Sequence, residues 1–211
     1  MTAALRVAVQ RLNPKHRDDI ARHLLQLSEN DRRLRFGHSV RDQAVREYVD
    51  GIDFERDRVF GVHGPALELI GVAHLALDRK AQVAELGLSV DPSSRVRGHG
   101  FALLQRSVLH AANRGYRVLF MVCLAENSIM MHLARKAGLT LVIESGEADA
   151  RLTLDRLAHG GVFEEAMADQ FALVDNVLKQ QYLWLSSPGI EYGNREVIDE
   201  RGTTEGSAKA L

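Results

Sequence analysis

Residues 93–105 read SSRVRGHGFALLQ, with Gly98 and Gly100 placed directly before an apolar run. A helix starting there leaves its first N–H groups without internal partners, at the positive end of its dipole. Phosphate groups bind such ends, and glycines let oxygen atoms approach the backbone closely. Arg95 and Arg97 add charge beside these amides. The stretch therefore predicts a pyrophosphate-sized anion site at a helix start. That helix must also connect whatever strands lie on either side of it.

The flanking segments supply those strands. LRVAVQRL (5–12) alternates and reads as a strand. DRVFGVH (57–63), ELIGVAHLAL (68–77) and AQVAELGLSV (81–90) follow, separated by Gly64-Pro65 and a DRK turn, so they predict an antiparallel meander. A helix over 99–113 stops at Gly115. A buried strand (116–125), a helix (127–137) ended by Gly138, and strands at 139–145 and 149–157 complete the run. Near the N-terminus, residues 16–36 carry Ile20, Leu24, Leu25 and Leu27 at helical spacing. Ser39, with Asp42 three residues on, resembles a capping box opening a second helix. The expected fold class is α/β (α+β): one domain over 1–158, with a mixed, mostly antiparallel central sheet and helices on both faces.

Beyond Gly160-Gly161, Phe163, Met167, Phe171, Val174, Leu178, Tyr182 and Leu185 recur at steps of three and four. They predict an amphipathic helix over 159–185, packed on the domain or on a second copy, where an exposed stripe would favour a homodimer. Residues 186–211 are polar and glycine-rich and read as a mobile tail.

Several function classes are disfavoured. The net charge of −1 argues against a nucleic-acid partner. No apolar run is long enough to span a bilayer, and the N-terminus does not read as a signal peptide. A single cysteine, Cys123, rules out an internal disulfide and fits a reducing compartment, so a cytoplasmic protein is expected. The nine histidines show no metal-ligand spacing. A P-loop needs Gly-Lys-Ser/Thr, but Phe101-Ala102 follows Gly100. A dinucleotide fingerprint needs a third glycine, and Leu103 stands there.

Two stretches carry a family resemblance. Val90-DPSS-Arg95-V-Arg97-Gly98-H-Gly100-FALL resembles the acetyl-CoA-binding motif of the GNAT N-acetyltransferases, Arg/Gln-x-x-Gly-x-Gly/Ala. AEN-SIMMHLARKAGL, starting at Ala125, resembles the family's second signature, an asparagine opening a helix. The resemblance covers about residues 5–157. It implies acetyl-CoA as cosubstrate and an amine acceptor, while the histidine spacing predicts no metal. The backbone from Val96 to Gly100, His99 included, would hold the pyrophosphate. The strand through Leu88, Ser89 and Val90 would pair with the pantetheine where it splays from 117–125, and Asn127 would sit at that splay. Residues 28–41 would shape the acceptor site. Many members carry a tyrosine seven residues after the asparagine to protonate the thiolate; here that position is Ala134. Together with RRLRF (32–36), this is similar to the branch containing bacterial protein lysine acetyltransferases. Ala134 also keeps open a non-catalytic acyl-CoA-binding or partner-binding module.

Acetyl transfer to an amine needs an unprotonated nucleophile and support for charge on the thioester oxygen. Glu85, Gly87 and Ser89 share one strand face, opposite Leu86, Leu88 and Val90; the central glycine suggests a cleft wall and a bulge. Glu85 is the first candidate for the general base, directly or through water, and His74 on the preceding strand is the second. The charge-rich RDDIARH and ENDRRLRF segments alternate in sign and read as solvated helix faces.

Overall fold

The computed structural model describes residues 7–154 and, beyond them, 169–170, 172–177, 179–180 and 183. Its strands are β1 (Gln10–Leu12), β2 (Arg58–His63), β3 (Leu69–Asp78), β4 (Val83–Val90), β5 (Val118–Leu124), β6 (Thr140–Glu144) and β7 (Glu147–Thr153). Its helices are α1 (Arg17–Gln26), α2 (Glu29–Phe36), α3 (Asp42–Asp50), α4 (His99–Asn113) and α5 (Ser128–Lys136). The strands form one sheet in the order β1-β2-β3-β4-β5-β7-β6. Every pairing is antiparallel except β4 with β5, which α4 connects as a crossover.

Each face of the sheet is covered. On one face, Leu103, Leu104 and Ala111 of α4 and Ala134 of α5 bury against Phe60, Leu75, Leu86, Leu119 and Met121. On the other, Ile20 and Leu24 of α1 and Val45 and Val49 of α3 bury against Val59, Leu69 and Val72. Each fully buried Leu, Ile or Val contributes about 1.5–3 kcal/mol of hydrophobic stabilisation, so neither face is dispensable.

Two expectations at the N-terminal end are corrected. The apolar spacing over 16–36 is split, because Leu27 is extended and the Ser28 hydroxyl accepts the Asp31 amide at 3.1 Å, starting α2 afresh. Ser39 opens nothing: α3 begins at Asp42 with Arg41 before it and no side-chain cap, while the Asp42 carboxylate accepts from Arg32 at 2.5 Å. The residues described between 169 and 183 are helical and touch the domain. Ala172 is buried, Asp169 pairs with Arg106 at 2.6 Å, Lys179 donates to the His63 carbonyl at 2.9 Å, and Asn176 bonds Gln10. Val174 is exposed. Residues 5–6, the break at 160–161, Phe163, Met167, Phe171, Leu178, Tyr182, Leu185 and the tail lie outside the described residues. No helix among the described residues is long and apolar enough to cross a membrane.

Candidate active site

The strands β4 and β5 pair only at Val83–Val118, Ala84–Leu119 and Glu85–Phe120. From Leu86 onward β4 keeps its register with β3 up to Val90, while β5, paired with β7 along its whole length, runs on to Leu124 away from β4. The result is a V-shaped gap whose β4 edge has no strand partner. A cleft of about 640 Å³ opens from it, walled by Leu88, Ser89, Val90, the 94–101 loop, α5 and the Leu27–Arg35 segment.

At the loop, Asp91 caps a short turn and Arg95 is extended. Val96 then adopts φ 66° and Gly98 φ 83°. A β-branched residue in the left-handed region is strained by about 1–3 kcal/mol, and the Val96 side chain is fully exposed, so no core packing offsets it. What this geometry achieves is a fan of backbone amides. Among the described residues, no hydrogen bond takes the N–H of Val96, Arg97, Gly98, His99, Gly100 or Phe101; Ala102 is the first to bond back, to the Gly98 carbonyl at 2.9 Å. Successive free amides at a helix start form an anion-binding concavity. The His99 ring donates from Nδ1 to the Ser94 carbonyl at 3.0 Å, which fixes the loop against its own turn.

The residues expected to bind coenzyme fall into two groups. Leu88, Ser89, Val90, Arg95, Val96, Gly98, His99, Gly100 and Asn127 all line the cleft. Arg97 lies in the loop but is exposed and outside the lining. Arg95 is already engaged, donating to Asp31 of α2 at 2.5 Å and to the Val90 carbonyl at 3.2 Å. Asn127 caps α5, its Oδ1 accepting the Met130 amide at 3.1 Å.

Glu85 stands apart. It is exposed on the last β4 rung that still pairs with β5, and opens onto a second cavity of about 670 Å³ with Arg56, Lys80, Val83 and Phe120. His74 lies in neither lining. It pairs across the strands with Gly87 and is held at both ring nitrogens. Its Nε2 lies 3.2 Å from Asp57 Oδ2 and its Nδ1 2.6 Å from the Tyr48 hydroxyl. Burial raises the Asp57 carboxyl, but donors from Arg56, the Leu77 amide and His74 outweigh it and hold the group below its ordinary pKa. Burial pushes the His74 imidazole down against the pull of Asp57, leaving it neutral at pH 7. An ionised Asp57 only accepts, so Nε2 carries the hydrogen, Nδ1 accepts from Tyr48, and Tyr48 Oη accepts from Arg35 at 2.9 Å.

Arg35 and Gly87 form a contact that the sequence hid. The β3–β4 register runs straight through Gly87, so there is no bulge there. A Cβ at Gly87 would sit 2.2 Å from an Arg35 guanidinium nitrogen and 2.4 Å from its central carbon. The glycine is the seat of that guanidinium. Nor are RDDIARH and ENDRRLRF simply solvated faces. His23 is buried, with Nδ1 on the Leu69 carbonyl at 3.0 Å and Nε2 on Ser89 Oγ at 2.9 Å. Burial pushes its imidazole down to about 4. Arg32 ties α2 to the Leu25 and Leu27 carbonyls, and Arg33 reaches Glu126 across the cleft. Their signal was the basic residues on successive turns of a short helix, without the apolar stripe a merely packed helix would show.

Cys123 is buried and its thiol is pushed up by that burial. Among the described residues, no group of three metal-binding side chains assembles.

Solved structures share this fold. The GNAT domain of S. lividans PAT is 20% identical with a TM-score of 0.60, over 69% of this chain and 89% of that one. RimL, a ribosomal L7/L12 alpha-N-protein acetyltransferase in complex with coenzyme A, is 17% identical with a TM-score of 0.55, over 71% and 94%. Spermidine N-acetyltransferase SpeG from Vibrio cholerae, as its N152L mutant, is 16% identical with a TM-score of 0.53, over 70% and 94%. No curated protein matches the sequence. A family model described as Acetyltransferase (GNAT) family matches residues 20–139. Those residues hold the amide fan, the parted strands and the capped α5, and the chain belongs to the GNAT acetyltransferase family.

Proposed function

We propose that the chain transfers the acetyl group of acetyl-CoA to a primary amine, and that this amine is a protein lysine side chain. The observation that carries the first part is the run of six free amides beside a β4 edge that has lost its strand partner. A diphosphate fits the amides of Val96–Gly100, and an extended arm with amide groups fits the edge at Leu88–Val90. Acetyl-CoA supplies an activated acyl group and a good leaving thiolate. RimL, of the same fold, is a coenzyme A complex.

Two features support lysine. The second cavity meets the strand gap at its closed end, and Ala76, Leu77, Val83 and Phe120 give it an apolar stretch suited to a long aliphatic stem. Arg35, a cation beside the gap, disfavours an ammonium and so favours the neutral amine, whose ordinary pKa is about 10.4. Glu85 at the last paired rung is the proposed base, directly or through water. His74, engaged at both nitrogens, acts through Tyr48 as a positioning residue. The reaction is placed in the cytoplasm, consistent with one reduced cysteine.

A thermal-shift series with acetyl-CoA, longer acyl-CoAs, ATP and NAD tests the ligand. Acetyl-CoA at a hundredfold excess over its Kd should stabilise the chain by about 2.7 kcal/mol, with ATP and NAD inert. Stabilisation by ATP or NAD alone refutes the reading. Thiol release with lysine peptides, polyamines and free amino acids then tests the acceptor. Coenzyme binding without turnover of any amine would favour the non-catalytic module that Ala134 keeps open.

A further inference from the structure

Arg35 differs from the exposed Arg97 in being half-buried, and from the other arginines around the cleft in its partner. Arg32 pairs with Asp42, Arg33 with Glu126, Arg56 with Asp57 and Arg95 with Asp31. Among the described residues, no carboxylate pairs with Arg35. Its polar contact is the neutral Tyr48 oxygen, and its guanidinium lies 5.1 Å from the Phe36 ring centroid and 5.6 Å from that of Tyr48. A half-buried cation without a counterion is costly to hold, and here it is held by a chain of three further side chains. Asp57 orients His74, His74 fixes the Tyr48 hydroxyl, and Tyr48 presents its lone pair to Arg35. Gly87 is the second half of the device. It lets the guanidinium lie against the β4 backbone two residues past the last β5 pairing, where the strands have parted.

We propose that Arg35 is a catalytic residue of the acetyl transfer, its guanidinium stabilising the negative charge that collects on the thioester carbonyl oxygen, and that Asp57, His74 and Tyr48 position it. The inference rests on the acetyl-CoA reading above. The amine nitrogen bonds to the carbonyl carbon, the C–S bond breaks with its electron pair going to sulfur, and the oxygen carries excess negative charge between the two events. The amine gives up one proton and the departing thiolate takes one, so amine and thioester become amide and thiol. A fixed cation lowers the energy of that charge without having to reorient, which is why such groups act on the chemical step.

The test uses the full chain, acetyl-CoA and whichever amine supports turnover. Arg35→Ala should lower kcat about 100-fold, as loss of one oxyanion donor does, with the KM for acetyl-CoA within about threefold of wild type. Added guanidinium at millimolar concentration should restore at least tenfold of the loss in Arg35→Ala and nothing in Glu85→Gln. Gly87→Ala leaves Arg35 in the sequence but drives its guanidinium off β4; it should lower kcat at least tenfold while keeping the acetyl-CoA thermal shift. An unchanged kcat in Arg35→Ala, absence of guanidinium rescue, or a defect confined to the KM of the amine would overturn the proposal. Loss of acetyl-CoA stabilisation in the wild type would instead overturn the reading on which it rests.

Discussion

The loop wall of the cleft and its floor solve the same problem with different material. The wall is contiguous backbone: six amides between Val96 and Phe101, splayed by two left-handed residues and needing almost no particular side chain. The floor is Arg35, which lines the cleft, backed from behind by Tyr48, Asp57 and His74 and seated on Gly87, residues of α2, α3, the segment before β2, β3 and β4. In the proposed function, the wall of amides holds the diphosphate of a coenzyme common to many enzymes.

That contrast is open to attack from both sides. The largest effect expected is at the wall. Gly98→Val places a β-branched residue at φ 83°, with nothing within 4 Å of its Cβ, so the damage falls on loop conformation rather than on packing. Acetyl-CoA affinity should fall at least 100-fold by titration, roughly the 2.7 kcal/mol that such a ratio represents. Retained affinity would mean the grip is not made of backbone.

Acid probes the buried imidazoles behind the cleft next. His23 has a folded-state pKa of about 4 against 6.5 unfolded. Above pH 6.5 both states are neutral there and no stability is lost. Between 6.5 and 4 only the unfolded chain takes the proton, so stability drops by about 3 kcal/mol as pH falls. His74, also pushed down, adds in the same direction. Urea melts at pH 7 and pH 4.5 should show the drop, and His23→Gln should flatten much of it. A smaller effect separates cap from coenzyme at the rim. Asn127→Ala removes the α5 cap and should cost about 1 kcal/mol in a melt without ligand. If acetyl-CoA affinity also falls in that variant, Asn127 serves both purposes; if not, it is a cap alone.

The contrast also explains what the sequence revealed. The meander, α4, α5 and the amide loop were legible because alternation, helical spacing and glycine position are local signals, each read within a dozen residues. The floor was not legible for the opposite reason. ENDRRLRF looks like a solvated face because charge alternation says nothing of partners ten to ninety residues away, such as Asp42 for Arg32 or Glu126 for Arg33. Gly87 looked like a bulge because a missing Cβ in a strand has several causes, and only the Arg35 contact distinguishes them. Ser39 failed as a cap because Asp42, the other half of the box, found a stronger partner in Arg32. Glu85 was placed on the correct strand face, yet its cavity is the second one, which no spacing rule anticipates.

The buried contact between α1 and β4 has one more consequence. The Leu69 carbonyl can only receive, so the His23 hydrogen sits on Nδ1 and Nε2 is bare. The Ser89 hydroxyl hydrogen must then turn inward to Nε2. The Ser89 hydroxyl, at the cleft's β4 wall, therefore has its one hydrogen committed to α1, so the imidazole of a helix on the far side fixes what this oxygen can do: it can accept and cannot donate.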